Sequence, residues 1–280
     1  MKIDFDLTRS PAIPIFIISF NRGAFLERCV RSYQRMNRRV KIIIHDNGSD
    51  DPATIAILEK LEREGCKVYR RGKISDASEL INVNETIASY FKFRRKRRYV
   101  VTDCDIDLSI ASPKSLDVYD HLLDLFPDAE SVGPMLKIRD IPKYYPLYKS
   151  AMNRHIKQFW QKIPEWSETK FGTIATIPCT IDTTFALIRA GEPFFRQKKA
   201  RRVYYPYEAR HLDWYQDNDA YRSSNYFQTS SKDVAHWSNQ TVHDEFVKEE
   251  LECDHLYYVE MDLDGSLKTR REDILGYGFT

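Results

Sequence analysis

The stretch that decides the fold is PIFIISF at residues 14–20, which runs into the polar loop NRG at residues 21–23. A short, continuous apolar run that ends in polar residues is typical of a strand buried in a parallel sheet. Residues 25–36 then place apolar side chains three and four positions apart, which predicts an amphipathic helix. This stretch therefore predicts a strand, a loop and a helix, the order of a βα unit.

The same unit recurs through the first half of the sequence. Further strands are predicted at residues 40–45, 66–69 and 98–102. Helices are predicted between Pro52 and Gly65 and at residues 80–91. Because strands alternate with helices, we expect right-handed crossovers and a mainly parallel sheet in an α/β fold.

Polar residues follow three of these strands: Asn21, Asp46 and Asp103. The carboxyl ends of parallel strands meet at one edge of an open sheet, and ligands bind outside that edge. We therefore expect these three residues to lie close together.

The second half is less regular. A helix is predicted at residues 113–126, a strand at 131–138, irregular aromatic structure at 139–170, a strand pair at 171–189, and a short strand or hairpin around 261–267. No repeat or low-complexity linker divides the sequence, so we expect a single domain that spans residues 1–280.

Composition excludes several classes of protein. The chain has 280 residues, 42% of them hydrophobic, and a formal net charge of +2. These values exclude a disordered chain and do not favour a nucleic-acid binder. The five scattered cysteines indicate neither a disulfide framework nor a zinc site, so we expect the reduced cytoplasm as compartment. The first apolar run, residues 13–20, is shorter than the roughly 20 residues of a spanning helix, so we expect neither a signal peptide nor a membrane anchor.

Two local features carry charge. The basic run RRKRR at residues 94–98 is either a solvated turn or a surface for anionic headgroups. The acidic triplet Asp103, Asp105 and Asp107 follows a predicted strand, and its carboxylates repel one another unless a cation compensates. Hard oxygen ligands suit Mg²⁺ or Mn²⁺. We therefore favour a metal site here over an Asp-rich turn without function. With three alternate acids, the pair expected to bind such an ion is either Asp103 with Asp105 or Asp105 with Asp107.

The end of the first strand, the loop after the second strand and the acidic triplet together resemble the family 2-like glycosyltransferases of the GT-A fold. The resemblance covers about residues 12–110, with weaker support to about residue 215. It implies a Rossmann-like, mixed and mainly parallel sheet flanked by helices. It also implies a nucleotide site formed by Ser19, Asn21, Arg22, Asp46 and Asp103. In that site Asp46 would contact the nucleobase, and Asp103 and Asp105 would be the DxD acids.

The function implied is transfer of one sugar from a nucleotide-sugar donor, UDP-sugar favoured, to a hydroxyl of a glycan or lipid-linked glycan. Residues 12–110 would be the donor half and residues 111–280 an aromatic-rich acceptor half. Surface polysaccharide or lipopolysaccharide synthesis is the implied setting, with the enzyme in the cytoplasm, peripheral at the inner membrane face. No QxxRW-like segment is present, which argues against a polymerising synthase.

Candidates for the acceptor base are Asp182, which lies in an apolar segment where an unpaired acid is costly, and Asp213. Asp213 belongs to the cluster RHLDWY at residues 210–215. The resemblance implies a late histidine near the metal, and we expect His211 in that role, with His236 as a weaker candidate.

Two other functions are compatible with these residues. Asp103 and Asp105 are spaced as in phosphoryl-transfer enzymes of the haloacid dehalogenase type, although that class has its nucleophile after the first strand. The second alternative is a non-enzymatic module that binds glycans or nucleic acid through the basic run, with steep salt dependence and no need for a divalent ion.

Overall fold

The computed structural model describes residues 11–196, 198–217, 219–220, 224–230 and 251–274. The strand–helix alternation predicted for the first half is confirmed. Its elements are β1 (Ile13–Ser19), α1 (Gly23–Gln34), β2 (Val40–Asp46), α2 (Pro52–Arg63), β3 (Lys67–Arg70), a 3₁₀ turn (Ala77–Asn82), α3 (Val83–Phe91) and β4 (Tyr99–Asp103).

The later elements are shorter and more varied. They are β5 (Ile106–Asp107), α4 (Ser115–Leu125), β6 (Ser131–Pro134), α5 (Tyr148–His155), a π-helical turn (Ile156–Trp160), β7 (Glu165–Thr169), β8 (Gly172–Ile181), β9 (Ala186–Ile188), β10 (Lys198–Val203), β11 (Arg210–His211), a 3₁₀ turn (Leu212–Tyr215), α6 (Asn225–Thr229), β12 (His255–Met261) and β13 (Leu267–Asp273).

Nine strands form one sheet in the order β3-β2-β1-β4-β9-β6-β10-β8-β7. Strands β8 and β9 run opposite to the others, because each pairs antiparallel with both of its neighbours. The predicted α/β class with a mixed, mainly parallel sheet is therefore confirmed.

The core lies on both faces of this sheet because side chains alternate along each strand. Ile15 and Ile17 of β1 face one cluster, together with apolar residues of α1, α2 and α4. Phe16 and Ile18 face a smaller cluster that α3 covers. All seven residues of β1 are buried, as a central strand requires.

Two predictions for the second half are wrong, and a third is correct except for the end of its strand. Residues 139–170 are not wholly irregular, since α5, the π-helical turn and β7 lie there. The strand predicted at residues 131–138 ends at Pro134. The predicted strand pair at residues 171–189 is two separate strands, because β8 pairs with β7 and β10 whereas β9 pairs with β4 and β6. The predicted hairpin is confirmed as β12 and β13.

A small second sheet positions part of the site. β5 pairs with β11, so His211 lies opposite Ile106, and the backbone N–H of Leu212 donates to the carbonyl of Asp105 over 2.8 Å. The cluster at residues 210–215 is thereby held beside the acidic triplet. Among the residues that the structure describes, no helix has the length and apolar character that a bilayer crossing requires.

The turn after β10 buries a carboxyl group whose titration can be measured. Burial raises the pKa of Glu208 to about 7, although Lys137 and the backbone N–H of Tyr205 favour its charged form. Between about pH 4.5 and 7 the folded protein therefore binds more protons at this position than the unfolded chain, so its stability falls as pH rises. We expect the free energy of unfolding of Glu208→Gln, relative to that of wild type, to rise by about 3 kcal/mol as the pH increases across this window.

Urea unfolding of both proteins at a series of pH values measures this difference. The exposed Glu59→Gln is the matched control and is expected to follow the wild-type curve. A difference between Glu208→Gln and wild type that does not change with pH contradicts the assignment.

Candidate active site at the carboxyl edge of the sheet

The carboxyl ends of β1, β2 and β4 lie side by side. β1 is the middle strand: Ser19 pairs with Asp46 of β2, and Ile18 pairs with Asp103 of β4. Neighbouring strands are about 4.8 Å apart. The predicted convergence of these strand ends is confirmed.

A cavity of about 130 Å³ opens at this edge. Four of the predicted site residues line it: Ser19, Arg22, Asp103 and Asp105. The cavity therefore brings the first loop and two acids of the triplet together. Other lining residues include Asn47, Lys73, Thr183, Arg196, Tyr226 and Ser230.

Asp105 is buried, and its two carboxylate oxygens have different surroundings. Oδ2 accepts a hydrogen bond from Arg22 over 2.6 Å and lies 3.8 Å from Nε2 of His211. Oδ1 is buried and has no hydrogen-bond partner among the described residues. An unpartnered buried acceptor is costly, so Oδ1 indicates a ligand.

Asp103 is held in a site that favours its protonated form. Burial, followed by the negative charge of Asp105, raises its pKa to about 8. The Thr183 hydroxyl donates to Oδ2 and opposes the shift. A cation bound beside both acids would favour the charged form of Asp103 instead.

Arg22 is the cation that the chain itself brings to these acids. Its guanidinium donates to Asp105 and to Asp213, each over 2.6 Å. The ring of Tyr226 lies against the same group, 3.6 Å from its central carbon to the ring centroid. Arg22 is therefore fixed on three sides while lining the cavity.

His211 lies at the back of the acids and does not line the cavity. Its ring stacks on Trp214 with 4.7 Å between the centroids and 8° between the planes. Its Nδ1 is buried without a hydrogen-bond partner among the described residues. The predicted neighbourhood of His211 and Asp105 is present, although 3.8 Å is longer than a hydrogen bond. His236 lies outside the described residues.

Asp46 and Asn21 organise the loops behind the cavity. Both oxygens of Asp46 accept from Ser49, one from its hydroxyl over 2.6 Å and one from its backbone N–H over 3.0 Å. Burial nevertheless raises the pKa of Asp46. Asn21 has a left-handed φ of 45°, and its Oδ1 accepts from the backbone N–H groups of Asp50 and Asp51. Neither side chain lines the cavity.

The two candidate bases are both paired with arginines. Asp182 follows β8, and Nη2 of Arg196 donates to its Oδ2 over 2.6 Å while Nε donates to Oδ1. Asp213 is buried, and its Oδ1 accepts from Arg22 and, over 2.9 Å, from Gln216. Neither carboxylate lines the cavity, but the arginine partner of each does.

Asp107 differs from the other two acids of the triplet. It is fully buried, and its carboxylate accepts from Arg28 over 2.9 Å and from the hydroxyl and N–H of Ser109. Its oxygens are thus used within the fold, away from the cavity.

Sequence reasoning missed Thr183, Arg196, Lys73 and Tyr226, all of which line the cavity. Thr183 had a usable signal, since it adjoins Asp182 in a polar insert within an apolar segment. Arg196 and Tyr226 lie in irregular or aromatic segments without periodicity, so their sequence positions carry no such signal.

Helix α6 covers the cavity. Tyr226 and Ser230 line it, and Asn225 and Thr229 accept hydrogen bonds from the Asn21 amide over 2.8 and 2.9 Å. With this cover in place the cavity is about 130 Å³, below the roughly 300 Å³ at the lower end of ligand sites. The enclosed part of the cavity is therefore smaller than a nucleotide-sized ligand.

The edge can hold a divalent cation with two carboxylates. Oδ1 of Asp105 lacks a partner, and Asp103 is near it with its pKa raised. Within the described ranges, no group of three His, Cys, Asp or Glu side chains is arranged to hold a metal ion. Mg²⁺ is commonly held by one or two carboxylates while substrate phosphates and waters complete its shell, so these residues fit such an ion.

Fold and site together define an α/β protein with an acidic, arginine-bearing cavity at the carboxyl edge of its sheet, the usual place for a nucleotide. Residues 15–82 match the family model described as glycosyl transferase family 2. The match contains β1, β2 and the loops that carry Asn21, Arg22 and Asp46. The resemblance to family 2 glycosyltransferases is thereby confirmed. No curated protein matches the chain in sequence.

Solved structures with some similarity include glycosyltransferases. The mannosyltransferase PcManGT from Pyrobaculum calidifontis, in complex with GDP-Man and Mn²⁺, is 12% identical over 55% of this chain and 41% of its own, with a TM-score of 0.37. S. aureus TarS, residues 1–349, is 11% identical over 85% of this chain and 69% of its own, with a TM-score of 0.43. The chain thus spans less than half of the first of these structures.

Proposed function

We propose that this protein is a metal-dependent glycosyltransferase that moves one sugar from a nucleotide-sugar donor to a hydroxyl of a glycan acceptor. The observation that carries the proposal is the cavity in which Asp103 and Asp105 meet Ser19 and Arg22. The family match over residues 15–82 supports it, because it includes the strands and loops that form one side of this site.

Asp105 and Asp103 are the proposed ligands of Mn²⁺ or Mg²⁺. His211 is proposed as a third ligand, for which its ring, now outside the cavity with Nε2 3.8 Å from Oδ2 of Asp105, would have to turn toward the ion. Such an ion, when bound, would neutralise the donor diphosphate and the departing nucleotide diphosphate. The spare Oδ1 of Asp105 supports this assignment. The internal bonds of Asp107 favour the pair Asp103 and Asp105 over the pair Asp105 and Asp107.

Arg22 is proposed to bind phosphate oxygens. Its planar guanidinium lines the cavity and is already fixed by Asp105, Asp213 and Tyr226. Arginine suits phosphate because its N–H groups match pairs of oxygens. A side chain ordered before binding also loses little entropy when the ligand arrives.

The proposed nucleotide subsite consists of Ser19, Asn21, Arg22, Asp46 and Asp103. Asp46 is proposed to accept from the ring N–H of the base, for which uracil is favoured, with guanine and thymine as alternatives. Ser49 occupies one lone pair on each Asp46 oxygen, and a carboxylate oxygen accepts a second hydrogen bond.

The acceptor is proposed to be a glycan or lipid-linked glycan of a surface polysaccharide or lipopolysaccharide. The enzyme would meet it in the cytoplasm, at the inner face of the membrane. The support for a sugar acceptor is the family match over residues 15–82.

Calorimetric titration of UDP, GDP, CDP and dTDP, with Mn²⁺ and again with EDTA, tests the proposal. We expect tight binding of one diphosphate, UDP first, only when the metal is present. If no nucleotide binds in a metal-dependent way, the proposal fails and a glycan- or nucleic-acid-binding module becomes the better interpretation.

The base is tested by Asp182→Asn and Asp213→Asn. The variant that removes the base is expected to lose about a hundredfold or more in kcat at saturating substrates, because the acceptor proton has no other carrier. Single-turnover rates at several pH values measure this loss. Asp217→Asn, at an exposed acid of the same segment, is the control and is expected to keep full turnover. If both test variants turn over like wild type, neither acid is the base.

A further inference from the structure

A second cavity, of about 460 Å³, lies outside the site described above. Its floor is apolar and is formed by Ile87, Phe91 and Tyr99. Its rim is basic and is formed by Lys92, Lys96 and Arg97. We call this cavity, with these six residues, the cationic groove.

The charges of the groove are available to a partner. Within the part of the chain that the structure describes, no ion pair involves Lys92, Lys96, Arg97 or the adjoining Arg94 and Arg95. The next basic residue of the run behaves differently, because Arg98 is paired with Asp120 over 2.8 Å and also with Asp124. The basic run therefore divides into one structural arginine and a set of unneutralised cations.

An acid also borders the groove. Glu192 lines it, so the groove is not uniformly positive. Three cations against one acid still leave the lining positive, whereas the whole chain carries only +2. Attraction of an anionic partner is consequently local to this face.

An apolar side chain projects beside the cations. Phe93 is 87% exposed, which is unusual for a ring of this size. It adjoins Lys92 in sequence, and the Lys92 ammonium lies 5.2 Å from the centre of the Phe93 ring. An exposed aromatic ring among cations matches the interface of a membrane, where headgroups are anionic and the layer beneath them is apolar.

We propose that the cationic groove and Phe93 dock this protein on an anionic phospholipid surface. Basic residues would contact the headgroup phosphates, and Phe93 would enter the boundary between headgroups and acyl chains. The rings of Phe91 and Tyr99 in the floor are buried and so are not open to stacked bases, which favours this partner over single-stranded nucleic acid.

One segment connects the groove to the donor cavity. Gly191, Glu192 and Pro193 line the groove, and Arg196, three residues further, lines the donor cavity. The Asn84 side chain fixes the backbone of Phe194 between them, with hydrogen bonds of 2.8 and 2.9 Å. Resting on the proposed function, this placement favours an acceptor held at the lipid surface.

Co-sedimentation with vesicles tests the docking. The protein is expected to bind vesicles of equal parts phosphatidylcholine and phosphatidylglycerol, and not vesicles of phosphatidylcholine alone. Lys96→Glu/Arg97→Glu is expected to weaken the binding at least about tenfold, because each basic residue contributes to attraction at an anionic surface. Phe93→Ser is expected to weaken it at unchanged charge.

Arg39→Glu/Arg63→Glu is the matched control. It makes the same change in net charge at two exposed positions, Arg39 directly before β2 and Arg63 in α2, which packs on the sheet face opposite α3. It is expected to keep vesicle binding. Equal binding to both vesicle types, no vesicle binding, equal loss in the control, or preferred binding of a single-stranded RNA oligonucleotide would each overturn the proposal. Metal-dependent UDP binding should be unchanged in all these variants. A failure of the proposed function is therefore distinguishable from a failure of the docking proposal.

Discussion

Asp105→Asn is expected to remove metal-dependent nucleotide binding and to lower kcat/KM about a thousandfold, equivalent to about 4 kcal/mol of transition-state stabilisation. The substitution keeps the shape of the side chain and removes its charge. Asp105 contacts Arg22, lies near His211 and carries the unpartnered Oδ1. Its charge therefore affects each proposed contact to the diphosphate.

The matched control is Asp107→Asn, in the same acidic triplet. Asp107 is bonded to Arg28 and Ser109 and does not line the cavity. This variant is expected to be less stable by about 1–3 kcal/mol, because the buried carboxylate to which Arg28 and Ser109 donate loses its charge and one of its acceptor atoms. It should still bind UDP with Mn²⁺. Calorimetry of both variants, with and without EDTA, makes the comparison.

The two variants also decide the register of the metal site. If Asp107→Asn loses metal-dependent binding and Asp105→Asn keeps it, the assignment of Asp103 and Asp105 is wrong. Loss in both variants, with folding intact, would place the ion between Asp105 and Asp107.

The donor side of the site was predictable from sequence because it depends on strand ends. A buried parallel strand appears in the sequence as a continuous apolar run, and its carboxyl end always lies at the same edge of the sheet. The positions of Ser19, Asp46 and Asp103 follow from those two facts. No contact between side chains had to be known.

The acceptor side was less predictable because it depends on distant contacts. Arg22 and Asp213 are 191 positions apart, and the pairing of β5 with β11 brings them together. Two-residue strands have no periodicity, so neither is visible in the sequence. The mispredicted strand pair has a similar cause: Phe185, with a φ of 65°, lies in the turn that carries the chain from β8 to a different place in the sheet.

The same turn makes the fold sensitive to a small change, Gly133→Ala. Gly133 lies in β6, and a Cβ added there would lie 2.2 Å from the backbone oxygen of Phe185. The backbone oxygen of Phe185 cannot rotate away from the added Cβ, as the end of a flexible side chain could. The Phe185 ring is also fully buried, with its centroid 5.1 Å from that of Tyr33, so outward movement opens the core.

We expect Gly133→Ala to lower the free energy of unfolding by about 3 kcal/mol, at the upper end for overpacked sites. Gly72→Ala is the control, because no atom lies within 4 Å of its added Cβ and its φ is not left-handed. It should change stability by at most about 1 kcal/mol, in the stabilising direction. Urea unfolding of both variants measures the difference, and equal midpoints would contradict the close approach.

The same substitution should reach the site. Thr183 lies two positions before Phe185, donates to Asp103 through its hydroxyl and accepts from the Asp103 N–H over 2.6 Å through its carbonyl. Displacing Phe185 therefore moves the residue that holds Asp103. We expect Gly133→Ala to bind UDP and Mn²⁺ more weakly even at temperatures where it is fully folded, whereas Gly72→Ala binds like wild type. Wild-type affinity in folded Gly133→Ala would show that the turn adjusts without disturbing Asp103.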